Sequence, residues 1–314
     1  MDSLTLSLEA VTPIFLMMLL GYVLKGIHFV DEKVFDAINK LVFKVFLPVL
    51  LFNNIYKTKS AEGFGIAADL FGFTTVCVLC VFALGLLAVY FITKDNAKRG
   101  VILQGFFRTN FAILGVPLVS YICGDNTTGL SSLMVALVVP LFNVLGVISL
   151  ELFKGGNIHF KKILKGIVTN PLIIGCVAGM VFLLFKIELP QVLEKTVSDI
   201  AHVSSPLALV VLGAGFTFTS IKGYVKENVI ILLARLVVLP AIILSIAAYL
   251  GFHGEAFACL LVTFGGPIAV SSFSMAQQMG GDKTLAGQLV VLTSAFCILT
   301  LFVWIFVFGS FGII

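Results

Sequence analysis

Ten apolar windows, separated by small clusters of charge, constrain this chain more than any other feature. They run over about 8–24, 37–55, 69–92, 101–122, 130–153, 163–185, 197–218, 229–250, 256–279 and 285–308. A membrane-spanning helix needs roughly 20 mostly apolar residues. Ten such spans use roughly 200 of the 314 residues, and the rest holds no soluble domain of ordinary size. Charged residues make up only 11% of the chain and hydrophobic ones 60%, whereas a soluble domain carries roughly 25% charge. A water-facing enzyme, a secreted disulfide scaffold, a disordered chain and a nucleic-acid binder are excluded. The expected class is an all-α polytopic membrane protein. The first window lacks a basic start and a cleavage site, so no removed signal is expected.

The basic residues then orient the spans. With the amino terminus outside, fourteen of the twenty lysines and arginines fall on the inner connections and helix ends. Four fall outside (Lys57, Lys59, Lys186 and Lys195), and Arg108 and Arg235 lie within spans. The positive-inside rule places both termini outside, in a multi-pass protein of the cell membrane. The six cysteines lie in or beside apolar windows and read as small buried hydrophobes. Cys77 and Cys80 form a CxxC without a second pair, so neither a metal nor a cofactor is expected.

Proline and glycine spacing suggests an internal repeat. The first window carries Pro13 and Gly21, and the sixth carries Pro171 and Gly179. Pro48 in the second window matches Pro206 in the seventh, and a shift of 158 residues superposes all three landmarks. Pro117 in the fourth window pairs with Pro267 in the ninth at a shift of 150. Five spans per copy is odd, so the second copy inserts upside down. The expected units are residues 1–156 and 157–314, together one transmembrane transporter domain.

Pro117 and Pro267 sit near the middle of their spans, beside Gly115 and Gly265–Gly266. Proline removes a helical hydrogen bond and clashes with the preceding turn. Such breaks survive at mid-membrane only where protein or a watery cavity satisfies the freed groups. In paired repeat positions they point to a transporter's binding site. Each break exposes N–H groups and the positive end of a helix dipole, which suits an anion. Packing kinks alone are the plainer reading.

Polar residues gather around these breaks. Gln104, Arg108, Thr109 and Asn110 precede Pro117, and Ser271, Ser272, Ser274, Gln277 and Gln278 follow Pro267. The Asn110 amide can donate to a substrate oxygen or bridge backbone. Arg108 can attract an anion or snorkel toward the interface. Asn143, alone in the fifth window, is a binding residue or a helix–helix hydrogen bond. None of the 16 acidic residues falls at the centre of a span, so the carboxylate relay of many ion-coupled carriers is missing. Coupling falls to Asp69, to backbone carbonyls, to the substrate's own proton, or to the membrane potential.

Several motifs occur in a distinctive order: Asn110 through the GVPL of the fourth window, NPL opening the sixth, and PLAL followed by LGAGF in the seventh. With them the chain resembles the auxin efflux carrier family, which includes plant auxin exporters and bacterial malate-permease-like proteins. The seven-residue interval from Asn110 to Pro117 and the IAAD at Ile66–Asp69 are similar to the plant carriers. The resemblance implies a fold like that of sodium/proton antiporters, in which a bundle with two broken crossing helices moves against a scaffold. It implies that spans four and nine cross at Pro117 and Pro267. It also implies that Asn110 contacts a substrate carboxylate, that Asn143 takes the matching polar position in the fifth span, and that Asp69 is the acidic group near the site. The chain departs from the plant members in lacking a long hydrophilic loop between spans five and six, and in reading GGPIAVSS around Pro267.

The expected function is secondary transport, export or permeation, of a small organic anion such as malate by elevator-type alternating access. The site residues are Arg108, Asn110, Gly115, Pro117, Asn143, Gly266, Pro267 and Ser271, with Asp69 for coupling. A passive anion channel and a carrier of auxin-like aromatic carboxylates are the alternatives. The expected partners are the substrate anion and the lipid bilayer, with a homodimer allowed and no nucleic acid. The chain is not expected to be an enzyme: its four histidines lie at or beyond window ends, and HExxH and GxSxG are absent.

Overall fold

A computed structural model describes residues 3–58, 64–123, 129–154, 160–216 and 218–314. The proposed boundary at 156/157, Lys59, and the side chains of Pro117, Lys161 and Lys162 lie outside the described residues. Among those described the chain is helical, apart from one isolated antiparallel bridge between Thr109 and Ile268.

The first half begins with α1 (Ser3–Gly26). Helix α2 (Glu32–Leu41) runs through a π-helical turn, Val42–Phe46, into α3 (Leu47–Tyr56). Next comes α4 (Phe64–Ile92). The fourth apolar window is split into α5 (Asn96–Phe107) and α6 (Phe111–Cys123), and α7 (Leu130–Phe153) follows whole.

The second half opens with α8 (Phe160–Val168), α9 (Pro171–Leu184) and α10 (Gln191–Gly215). A 3-10 turn, Phe218–Gly223, leads to α11 (Val225–Leu233). A π turn, Ala234–Val238, joins α11 to α12 (Leu239–Tyr249). The ninth window is split into α13 (Gly254–Gly265) and α14 (Val270–Met279), and α15 (Lys283–Ser310) ends the fold.

Local chemistry sets these boundaries. The Asp95 carboxylate accepts from the Ala97 N–H at 2.9 Å at the start of α5. Asp282 does the same for Leu285 at 3.0 Å at the start of α15. Asn170 accepts from Leu172 at 2.9 Å, and Pro171 takes the first helical position. This cap divides the sixth window, which the sequence reads as one span, into α8 and a shorter α9. The 14 residues of α9 cover about 21 Å.

Among the described residues, five helical stretches are long and apolar enough to cross a membrane: 68–92, 130–153, 191–215, 225–249 and 283–310. Shorter apolar helices cover Thr12–Gly26, Pro171–Leu184 and Gly254–Gly265. The surface they present is oily. Leu84, Leu87 and Phe91 of α4 and Leu299, Val303 and Phe306 of α15 are all exposed, as lipid contact requires and water does not favour. Cys80 on α4 is exposed too, so the expected burial holds for Cys176, Cys259 and Cys297 but not for it. Among the described residues its face of α4 has no protein neighbour to cover it.

Two helix pairs form the tightest packing, α1 against α10 and α3 against α9. Each pair closes on glycine. A methyl on Gly21 would overlap the Val210 carbonyl, and one on Gly179 would lie 3.0 Å from the Phe52 carbonyl oxygen. Polar contacts tie the ends of the bundle. At one end Lys98 pairs with Glu227 at 2.8 Å, Lys226 donates to the Ile92 carbonyl at 2.9 Å, and the Tyr224 hydroxyl donates to Asp282 at 2.9 Å. At the other, Lys57 donates to Ser198 at 3.0 Å and the Leu189 N–H to the Tyr56 hydroxyl at 3.1 Å.

Candidate functional site

The two split helices meet at their breaks. Arg108 ends α5 in an extended conformation (φ −84°, ψ 118°), and Gly266 ends α13 likewise (φ −75°, ψ 163°). The extended segments cross as an antiparallel pair. The Asn110 N–H donates to the Pro267 carbonyl at 2.9 Å, and the Thr109 hydroxyl to the Thr263 carbonyl at 2.6 Å. The Ile268 N–H donates to the Thr293 hydroxyl of α15 at 3.1 Å. Backbone freed by the breaks is thus satisfied within the protein, as an apolar surrounding demands.

Pro267 lies in its break as expected, because proline drives the residue before it, Gly266, out of the helical region. Pro117 does not mark the other break, and this corrects the sequence expectation. It sits inside α6, and the chain leaves the helix at Arg108–Asn110 instead. Side-chain anchoring at Arg108 and Thr109 and strand-like pairing with Pro267 and Ile268 open the helix there, while α6 absorbs its proline. Thr109 and Pro267 are 158 residues apart, the interval of the other repeat landmarks; the interval of 150 arose from pairing the wrong feature.

Arg108 is only 1% exposed. One terminal nitrogen donates to Gln104 Oε1 at 2.9 Å and contacts the Met275 sulfur. The other donates to Asn143 Oδ1 at 2.8 Å and to Ser271 Oγ at 2.9 Å. Gly146 of α7 leaves the room, since a methyl there would lie 2.7 Å from the guanidinium. Among the described residues every hydrogen-bonding partner of this cation is neutral. Asn143 turns its own amide N–H to the Val139 carbonyl at 2.8 Å, which fixes its oxygen toward Arg108.

Beside Arg108, Gln104 Nε2 and Ser272 Oγ are buried without a partner. Both residues line a cavity of about 10 Å³ between α5, α14 and α15, room for about one water molecule. The structure therefore brings together Arg108, Asn110, Asn143, Gly266, Pro267 and Ser271. Asn110 is buried immediately before α6, and Gly115 is buried one turn further along. Asp69 stands apart: it is exposed and lines a cavity of about 760 Å³ with His253 and Glu255. Among the described residues no three His, Cys, Asp or Glu side chains gather as metal ligands.

Arg235, which the sequence places within a span without a role, also reaches the crossing. It is fully buried and donates to carbonyl oxygens at the crossing. Its signal was present, because an ionisable residue inside a span marks function by default. The donor set of the whole site is cationic, amide and hydroxyl. Such a set, beside the N-terminal ends of α6 and α14, can hold an anion.

The family described as membrane transport protein matches residues 6–305. The chain belongs to the membrane transport protein family. This is the auxin-efflux-carrier-like family that the motifs resemble. Two archaeal proteins are similar to it along nearly their full length, and both are described as uncharacterized transporters. The protein from Methanothermobacter thermautotrophicus is 23% identical over 302 residues, covering 95% of this chain and 97% of its own. That from Methanocaldococcus jannaschii is 23% identical over 308 residues, with the same coverage. Family membership and the apolar helices make the chain a multi-pass membrane transport protein.

Proposed function

We propose that this membrane transport protein is a secondary transporter of a small organic anion, malate or another carboxylate, working by elevator-type alternating access. The observation that carries the reading is Arg108, a buried cation whose described hydrogen-bond partners are all neutral, at the crossing of two broken helices. A buried charge is costly unless it is paired. A carboxylate is the partner that guanidinium geometry fits best. Asn110, Asn143 and Ser271 supply the remaining polar contacts. The cavity beside Gln104, the hydrogen-bond partner of Arg108, is too small for a carboxylate, so the bundle must open to admit one. That requirement is what elevator motion provides.

A pair of helix contacts related by the 158-residue shift supports this mechanism. Adding 158 to Gly21 gives Gly179, and subtracting it from Val210 gives Phe52, so the contact of α1 with α10 and that of α9 with α3 are the same contact made twice. On this reading ten spans form two inverted five-span units, with broken crossing helices four and nine. The basic end that carries Lys98 and Lys226 faces the cytoplasm.

The test is a thermal-shift screen of the purified protein against mono- and dicarboxylates, followed by counterflow of the best binder in proteoliposomes. A true ligand raises the unfolding midpoint with its occupancy. Asn110→Ala should reduce counterflow strongly without affecting membrane insertion. Wild-type rates in that variant would remove Asn110 from the site. Single-channel currents without counterflow would replace the carrier by a channel.

A further inference from the structure

Arg235 makes contacts that anion transport does not by itself explain. It lies on the π turn between α11 and α12 and is 0% exposed. Its Nε donates to the Gly266 carbonyl at 3.3 Å and one Nη to the Thr263 carbonyl at 2.9 Å. The other Nη reaches the Phe106 and Phe107 carbonyls at 3.2 and 3.5 Å. Phe106 and Phe107 close α5, whereas Thr263 and Gly266 close α13.

The last carbonyls of a helix have no intrahelical partner, and each helix C-terminus carries about half a negative charge. Two such ends meet here, so their sum is about one charge. One guanidinium, planar and with five fixed donors, matches both that charge and that spread of oxygens. The arrangement is a carbonyl-lined cation site whose occupant is supplied by the chain itself.

We infer that the C-terminal ends of α5 and α13 form a monovalent-cation site that Arg235 fills as a tethered, permanent ligand, positioning the crossing and keeping soluble cations out. Guanidinium does not lose its charge in a protein. The occupant is tethered and does not exchange, and sodium or potassium has no place to act at this point. The inference rests on the carbonyl geometry and stands whether or not the transported substrate is a carboxylate.

The experiment follows thermal unfolding of the full chain in detergent, which needs no substrate. In Arg235→Ala the site is vacated. Methylguanidinium chloride at millimolar concentration should raise its midpoint by roughly 5 °C and leave the wild type unmoved. Sodium and potassium chloride should leave the wild type unmoved as well. Arg235→Lys keeps the charge without the fork, and Arg235→Met keeps bulk without charge. Their midpoints should rank wild type above Lys above Met. The ranking decides the matter if the alanine variant does not fold. A methionine variant as stable as wild type, an alanine variant indifferent to methylguanidinium, or sodium stabilisation of the wild type would each overturn the inference. None of these outcomes bears on whether Arg108 binds an anion.

Discussion

Arg108 and Arg235 are both buried, yet they face opposite partners. Arg235 is surrounded by backbone carbonyls at two helix ends. Arg108 is held by an amide oxygen on each side and one hydroxyl. The first sits on the negative ends of two helices and the second does not, so in the proposed function it is the second that receives the anion. Arg108→Lys keeps a charge but loses the forked geometry. Each hydrogen bond to a charged group contributes about 1.5–3 kcal/mol. Binding of the carboxylate chosen by thermal shift should then weaken roughly 10–100-fold. Calorimetry measures this, and unchanged affinity would remove Arg108 from the anion site.

Tyr224 offers a second residue-scale test. Burial, reinforced by its hydrogen bond to Asp282, raises its phenol from 10.0 to about 12. A raised phenol means the fold prefers the protonated form. The resulting stability is complete below pH 10 and is lost as pH rises from about 10 through 12. The wild type should therefore exceed Tyr224→Phe in unfolding midpoint near neutral pH, and the gap should close above pH 10. A gap that widens there would show the sign to be wrong.

Among the elements, the split helices and the glycine seams matter most. Pro267 breaks its helix and Pro117 does not, although both look alike in sequence. The difference lies in the neighbours: Gly266 yields to an extended conformation, whereas the residues before Pro117 remain helical. At the seams, backbone meets backbone. Gly21→Ala pushes α1 off α10 through the Val210 carbonyl, with no side chain available to yield. Overpacking of this kind costs about 1–3 kcal/mol. Gly179→Ala faces a longer approach, 3.0 Å to the Phe52 carbonyl oxygen, and should cost less. Unfolding midpoints of the two variants check both the loss and its order. Equal, unchanged midpoints would mean that the helices slide freely.

At the scale of the whole molecule, the basic connections act together. Lys98, Lys226 and Asp282 tie the starts of α5, α11 and α15 into one polar end. In the proposed orientation, which follows the positive-inside rule, this is the cytoplasmic end. Single cysteines at Lys222 and Lys195, in an otherwise cysteine-free chain, test the orientation in intact cells. A membrane-impermeant maleimide should label Lys195→Cys directly and Lys222→Cys only after permeabilisation. The reverse pattern would invert the molecule and place the large Asp69 cavity on the cytoplasmic side.

Much of this was legible without coordinates. Low charge and ten apolar windows determined the solvent, since spans need length and oiliness and nothing subtler. Proline and glycine intervals suggested a 158-residue shift, and the polar residues within the windows pointed to the place where the two split helices meet. Tertiary structure decided the rest. Pro117 was a poor guide because a proline's effect depends on what takes up the freed backbone, and that partner lies on another helix. The division of the sixth window depended on the Asn170 cap, a three-residue geometry that an apolar average hides. The separate roles of Arg108 and Arg235 depended on which carbonyls and amides surround each guanidinium. Some of those neighbours lie more than a hundred residues away, Ser271 for Arg108 and Phe106 for Arg235, and only the folded chain brings them to 2.9 and 3.2 Å.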